Sequence, residues 1–140
     1  MAGYSGKPLY QKLGIKAGMR MAVLQAPPDY LTILEQDAGD HIAVPPLAAL
    51  ASTDFDFIHY FTKTAAELAE NFDSLKSALA FSGMLWISWP KKASKIPTDL
   101  TEDNVRAIGL THGLVDVKVV AVDEVWSGLK FVFRKADRPR

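Results

Sequence analysis

Apolar residues along this chain occur in short, nearly continuous runs, separated by segments with helical spacing. The runs cover residues 19–24, 41–44, 55–61 and 84–89. Strands with so few polar positions are buried on both faces, which is typical of a parallel sheet. Between the last two runs, apolar positions recur every three or four residues and predict a helix over residues 65–79. Thr64 and Glu67 match a capping box at its start.

The remaining pattern completes an alternation of strands and helices. Further helices are predicted over residues 8–13, 29–36 and 102–112, with a single helical turn over 47–52. Two last strands, residues 115–122 and 126–134, are joined by a short turn and predict an antiparallel hairpin, with a bulge at Ser127-Gly128. The order predicts a single-domain, Rossmann-like three-layer α/β sandwich, whose mostly parallel sheet ends in that hairpin. We expect residues 1–135 to form the domain and 136–140 a disordered tail.

Composition narrows the classes of partner. The chain has 140 residues, 49% hydrophobic, with 16 basic and 16 acidic side chains, so no global field attracts nucleic acid. Cysteine is absent, which excludes disulfides and thiolate chemistry. No signal peptide and no apolar run of about 18 residues is present, so we expect a cytoplasmic protein with no membrane partner.

The stretch from Gly83 to Glu102 concentrates the candidate chemistry. Its strand stops at Pro90, and a Lys-Lys-Ala-Ser-Lys loop leads to a helix start at Thr101. Open α/β sheets bind ligands just beyond strand carboxyl ends, and a helix start offers free N–H groups to an anion. Glu102 and Asp103 already offset the helix dipole, so an exposed basic loop is the alternative. No Walker or dinucleotide glycine pattern occurs, so the signal for an anion site is weak. No cofactor is predicted.

A second group of candidates lies at the hairpin turn, which we expect to face this loop. Asp123 and Glu124 could perform acid–base chemistry or simply stabilise the turn, and the tryptophans could stack on a ligand or pack in the core. Asp99 could cap a helix or pair with a lysine. The candidate ligand-binding residues are Trp89, Lys91, Lys92, Ser94, Thr98, Asp99, Thr101, Asp123, Glu124, Trp126, Ser127 and Lys130.

Neither a metal site nor a catalytic residue is predicted. The three histidines, His41, His59 and His112, share no metal-ligand spacing and fall on separate elements, so each is interpreted as structural. No Ser-His-Asp arrangement can be identified from the sequence.

Several motifs resemble a known family. They are Tyr4-Ser-Gly6, Leu13-Gly-Ile-Lys-Ala-Gly-Met-Arg20, Trp89-Pro-Lys-Lys-Ala-Ser94, Thr98-Asp-Leu-Thr-Glu102, Gly113-Leu-Val-Asp-Val-Lys118 and Ala121-Val-Asp-Glu-Val-Trp-Ser-Gly-Leu-Lys-Phe-Val132. Together they resemble the bacterial family called Domain of Unknown Function 3052, which implies no particular activity.

The second half of the chain is also similar to the C-terminal half of class I S-adenosylmethionine methyltransferases. There too a helix, an apolar strand, a helix and an antiparallel hairpin follow one another. That resemblance implies a Gly-rich, cofactor-binding loop after the first strand, but Gln25-Ala-Pro-Pro-Asp-Tyr30 contains no glycine. Its prolines also lack backbone donors. An acidic residue expected after the second strand is replaced by Val44-Pro45-Pro46.

The leading hypothesis from sequence is a non-catalytic domain that binds an anionic small molecule or a protein partner through residues 89–101 and 123–130. The alternative is a divergent S-adenosylmethionine-dependent methyltransferase-like enzyme. A structural homodimer formed through the hairpin edge is a third hypothesis.

Overall fold

A computed structural model describes residues 9–16, 18–30, 32, 42–43 and 55–137. These residues form a six-stranded sheet with the order β2-β1-β3-β4-β6-β5. The strands are β1 (Met21–Leu24), β2 (Ile42–Ala43), β3 (Phe55–Phe61), β4 (Leu79–Pro90), β5 (Leu114–Ala121) and β6 (Trp126–Phe133). The helices are α1 (Leu9–Leu13), α2 (Ala65–Ala78) and α3 (Glu102–Thr111).

The sheet is mixed rather than simply parallel with a terminal hairpin. β1 pairs in parallel with β2 and β3, and β3 pairs in parallel with β4. β6 is antiparallel to both of its neighbours, β4 and β5. The predicted β5–β6 hairpin is therefore confirmed, but its return strand lies between β4 and β5 and not at the edge.

Two apolar clusters cover the two faces of the sheet. Side chains of α2 and α3 pack on one face, where Phe72, Val105 and Phe131 are fully buried. The other face is covered by α1 and by Tyr30, with Leu13 and Trp86 fully buried. Burying every position of β1 between these layers explains why its sequence has no polar alternation.

Helix and strand ends follow the sequence signals in most places. β3 has its predicted bounds, and α2 begins after Thr64, whose hydroxyl accepts from the Glu67 backbone N–H at 3.2 Å. The prediction that β4 begins after Gly83 is wrong, because the strand starts at Leu79 and passes through this glycine. A Cβ at Gly83 would lie 2.8 Å from the Phe55 carbonyl oxygen, so close backbone packing requires glycine there.

The predicted bulge is also misplaced. Ser127 and Gly128 pair regularly with both neighbouring strands, and the register shift lies between Asp116 and Lys118 on β5. Gly128 is small because a Cβ would lie 3.2 Å from the Trp86 ring. Glycine is therefore required at position 128 by packing across the sheet and not by a backbone irregularity.

Several predicted elements lie partly or wholly outside the described residues. Of the predicted helix over 29–36 only Asp29, Tyr30 and Thr32 are described; Asp29 lies in a turn, and the other two are helical. The turn over 47–52 lies outside the described residues. Of the strand predicted over 41–44, Ile42 and Ala43 are described and form β2. Lys135–Asp137 form one 3-10 turn, and the disordered tail stays a prediction.

Among the described residues, no helix is long and apolar enough to cross a membrane. The cytoplasmic location stays a prediction.

A buried polar chain crosses the α1 face of the sheet. The Tyr30 hydroxyl lies 2.5 Å from His59 Nδ1, and His59 Nε2 lies 2.7 Å from Ser88 Oγ. A neutral imidazole has one donor and one acceptor nitrogen, so both of its bonds can be made at once. His59 is fully buried and stacks on Phe61, and burial lowers its pKa to about 3. It is a structural histidine, as predicted.

We expect this histidine to make the protein less stable in acid. Above its unfolded pKa of about 6.5, His59 is neutral in both states; as the pH falls toward 3, only the unfolded state binds the proton. The free energy of unfolding should fall by up to about 1.4 kcal/mol per pH unit. Urea titrations between pH 7 and 5 measure this slope. If the wild type and the His59→Gln variant have the same slope, the lowered pKa of His59 is contradicted.

Replacing Gly109 should destabilise the contact between α3 and β6. A Cβ at Gly109 would lie 2.1 Å from Cε1 of Phe131, which is fully buried and cannot withdraw. Overpacking costs about 1–3 kcal/mol and outweighs the roughly 1 kcal/mol of helix propensity that alanine supplies. Gly109→Ala should therefore lower the free energy of unfolding, measured by urea denaturation. Thr111→Ala, exposed on the same helix, is the control; equal stability of the two variants would refute the close contact.

Candidate functional site

The strand order places a topological switch point between the carboxyl ends of β1 and β3. The chain leaves β1 for β2 on one side and then crosses to β3 on the other side. Such a topological switch point leaves room beyond the strand ends, where open α/β sheets bind ligands. We call this place, beside Leu24 and Phe61, the last residues of the two strands, the crevice.

Gln25 crosses this crevice. Its backbone has a φ of 58°, in the left-handed region that favours glycine. Its side-chain Nε2 donates to the Phe61 carbonyl oxygen at 2.6 Å and lies 3.4 Å from Glu67 Oε1. The amide thus joins the ends of β1 and β3 while the residue itself stays exposed.

Thr62 and Glu67 complete a polar group that we call the crevice cluster, with Gln25 as its third member. The Thr62 hydroxyl donates a short hydrogen bond to Glu67 Oε1. The predicted capping box is wrong in this respect, because the Glu67 carboxylate contacts Thr62 and Gln25 in place of the Thr64 backbone. The ion pairs among the described residues involve Arg106 and His112, and none includes Glu67.

Two further side chains, those of Tyr60 and Asn71, form hydrogen bonds next to the crevice cluster. Asn71 Nδ2 donates to the Tyr60 hydroxyl at 3.2 Å and to the Glu67 carbonyl oxygen at 3.1 Å. Burial raises the pKa of Tyr60, and the charge of Glu67 raises it further against the effect of the Asn71 bond. The Tyr60 phenol is therefore protonated at neutral pH. Of Tyr60, Asn71 and Glu67, only Glu67 carries a charge.

The loop after β4 is tied to the start of α2. The Thr98 hydroxyl donates to the Lys63 carbonyl oxygen at 2.6 Å, and Asp99 Oδ1 accepts from the Ala65 backbone N–H at 2.7 Å. Asp99 therefore caps α2, the preceding helix along the chain. Thr101 caps α3, accepting from the Asn104 N–H at 3.2 Å. All three side chains are engaged in fixing helix ends.

The lysine loop and the hairpin turn lie side by side. The Lys91 N–H donates to the Val125 carbonyl oxygen at 2.6 Å. The Ser94 hydroxyl donates to the Lys91 carbonyl oxygen at 2.7 Å, so it serves the 3-10 turn that contains the exposed Lys92. Asp123 Oδ1 accepts from the backbone of the next turn residues, and Glu124 is exposed. The loop and turn are adjacent, but Ser94 and Asp123 have local structural partners.

The remaining candidates do not line one pocket. Trp89 is buried on the α2–α3 face, whereas Trp126 is buried on the α1 face. Ser127 pairs with Trp89 across β4 and β6. Lys130 pairs with Trp86, which lies four residues before the carboxyl end of β4, or roughly 13 Å from that end of the strand. Burial and the neighbouring Lys118 lower the pKa of Lys130.

Sequence reasoning missed the crevice cluster. The available signal was a polar residue, Gln25, directly after a fully buried strand, together with Thr62 in the same position after β3. Neither residue type has a motif of its own, and their proximity depends on the strand order. Among the described residues, no group of three or more His, Asp or Glu side chains could hold a metal ion.

Comparison with known proteins identifies the fold. No family model matches the chain, so the resemblance to Domain of Unknown Function 3052 has no support, and no curated protein matches. Among solved structures, a S-adenosylmethionine-dependent methyltransferase from Aquifex aeolicus matches with a TM-score of 0.69 at 18% identity, over 88% of this chain and 86% of that one.

Two further structures agree. Magnesium protoporphyrin IX methyltransferase from Synechocystis PCC 6803, with bound S-adenosylmethionine, has a TM-score of 0.66 at 14% identity, over 90% of this chain and 74% of its own. A TehB-like methyltransferase from Corynebacterium glutamicum has a TM-score of 0.55 at 12% identity, over 95% and 91%.

These matches overturn the leading hypothesis from sequence. A non-catalytic domain binding an anion or a protein partner is wrong, since the similar structures are methyltransferases and favour the methyltransferase-like alternative. At these identities the similarity establishes the fold. The chain therefore has the mixed α/β fold of S-adenosylmethionine-dependent methyltransferases.

Proposed function

We propose that this chain is a divergent S-adenosylmethionine-dependent methyltransferase-like enzyme, whose cofactor binds in the crevice between the carboxyl ends of β1 and β3. The observation that carries the proposal is the match to the Aquifex aeolicus methyltransferase over 88% of this chain. The crevice is the switch point of that shared fold, where general topology also favours a ligand.

The crevice cluster suits a positively charged ligand. S-adenosylmethionine carries a sulfonium and an ammonium group, and Glu67 contributes a carboxylate at the crevice without a basic partner among the described residues. An opposite charge within about 4 Å stabilises a partly desolvated ligand. The Glu67 carboxylate therefore favours a cationic group of the cofactor over an anion at this position.

The backbone of the crevice does not fit the cofactor in the way the family resemblance implies. Gln25 stands where a glycine would allow close approach, and Pro27 and Pro28 provide no N–H donors. The proposal is therefore one of cofactor binding in a divergent crevice.

Binding of S-adenosylmethionine should raise the unfolding temperature. A ligand present at 100 times its Kd stabilises the folded state by about 2.7 kcal/mol, which for a chain of this size is a shift of several degrees. Differential scanning fluorimetry with millimolar S-adenosylmethionine, checked by isothermal titration calorimetry, measures it. A nicotinamide dinucleotide, which also binds open α/β sheets, is the control ligand.

Two charge variants locate the site. Glu67→Gln keeps an oxygen for the Thr62 hydroxyl but removes the negative charge, and it should weaken binding about tenfold, or about 1.4 kcal/mol. Glu70→Gln, exposed on the same helix, should bind as the wild type does. Absence of any stabilisation at millimolar cofactor would reject the proposed function, and equal affinities of the two variants would reject Glu67 as part of the site.

A further inference from the structure

Gln25 has a backbone conformation that its own side chain disfavours. Residues with a Cβ rarely occupy the left-handed region, and glycine does so freely. What holds Gln25 there is local. Its amide bonds the carbonyl of Phe61, whose own strand ends at that residue, and it also lies near Glu67. The side chain thus occupies the switch-point crevice and satisfies a backbone oxygen at its wall.

The loop that follows is anchored at its other end. The Tyr30 N–H donates to the Pro27 carbonyl oxygen at 3.1 Å, and the Tyr30 hydroxyl bonds the buried His59. Two consecutive prolines have fixed φ angles and stiffen the segment between these points. Movement near the crevice is therefore easiest for the side chain of Gln25, and the backbone of the loop stays in place.

We propose that the Gln25 side chain is a displaceable cover of the switch-point crevice and determines the affinity of its ligand. On the basis of the proposed function, Gln25 controls the access of S-adenosylmethionine to this crevice. In the closed state the amide bonds Phe61; in the open state it rotates into solvent, and water replaces it on the carbonyl. Because Gln25 is exposed, this exchange requires no rearrangement of the core.

Removing the cover should tighten binding. When only a fraction of molecules is open, the apparent Kd is the intrinsic Kd divided by that fraction. If one molecule in about ten is open, Gln25→Gly should lower the apparent Kd for S-adenosylmethionine about tenfold. Glycine also suits the left-handed backbone. Isothermal titration calorimetry of both proteins gives the ratio.

A second variant separates the loss of the Gln25 side chain from the added backbone flexibility of a glycine. Asn tolerates the left-handed region but is one methylene shorter, so Gln25→Asn loses the bond to Phe61 without adding a glycine. It too should bind more tightly than the wild type. Gln11→Ala, on the exposed surface of α1, should leave the affinity unchanged. Urea denaturation checks that each variant is folded.

The outcomes separate this inference from the proposed function. Binding by the wild type that is tightened in both Gln25 variants supports the cover. Binding by the wild type that the variants match or fall below overturns the cover while the proposed function stands. Absence of binding in all three proteins overturns both.

Discussion

Burial of the central strands on both faces is the constraint on which the rest of this structure depends. β1, β3 and the second half of β4 are covered by α1 and Tyr30 on one side and by α2 and α3 on the other. Parallel strands buried in this way emerge at one edge, where their last backbone groups lose sheet partners. Gln25 satisfies the Phe61 carbonyl oxygen at the end of β3. Thr98 and Asp99, from the loop after β4, bond backbone groups around the start of α2. The crevice is thus a by-product of the sheet, and its chemistry depends on which side chains occupy it.

The sequence predicts those parts of the fold that depend on neighbouring residues. β3 and α2 are predictable because a largely apolar run and the cap at Thr64 are local signals. The start of β4 is not, since Gly83 is required by its approach to the Phe55 carbonyl, a contact between strands. The position of β6 between β4 and β5 is likewise invisible, because a hairpin predicts a pairing and not its place in the sheet.

The candidate site was less predictable than the fold for a related reason. Lysines, a hydroxyl and a helix start at residues 91–101 have the composition of an anion site, yet Ser94 and Thr101 serve local turns and caps. Asp99 bonds Ala65, 34 residues away in sequence. The switch-point crevice, in contrast, has no motif, because Gln25 and Glu67 become neighbours only when the strand order is known. The proposed site therefore follows from position in the topology and not from local charge.

Chemical-shift mapping of the wild-type protein with S-adenosylmethionine tests the central claim most directly, because it locates the ligand without any variant. If the cofactor binds at the switch point, the largest backbone amide shifts will occur at Gln25, Ala26, Thr62 and Lys63, the residues after β1 and β3. Shifts confined to residues 91–95 and 123–126, or the absence of shifts at millimolar cofactor, would contradict the account.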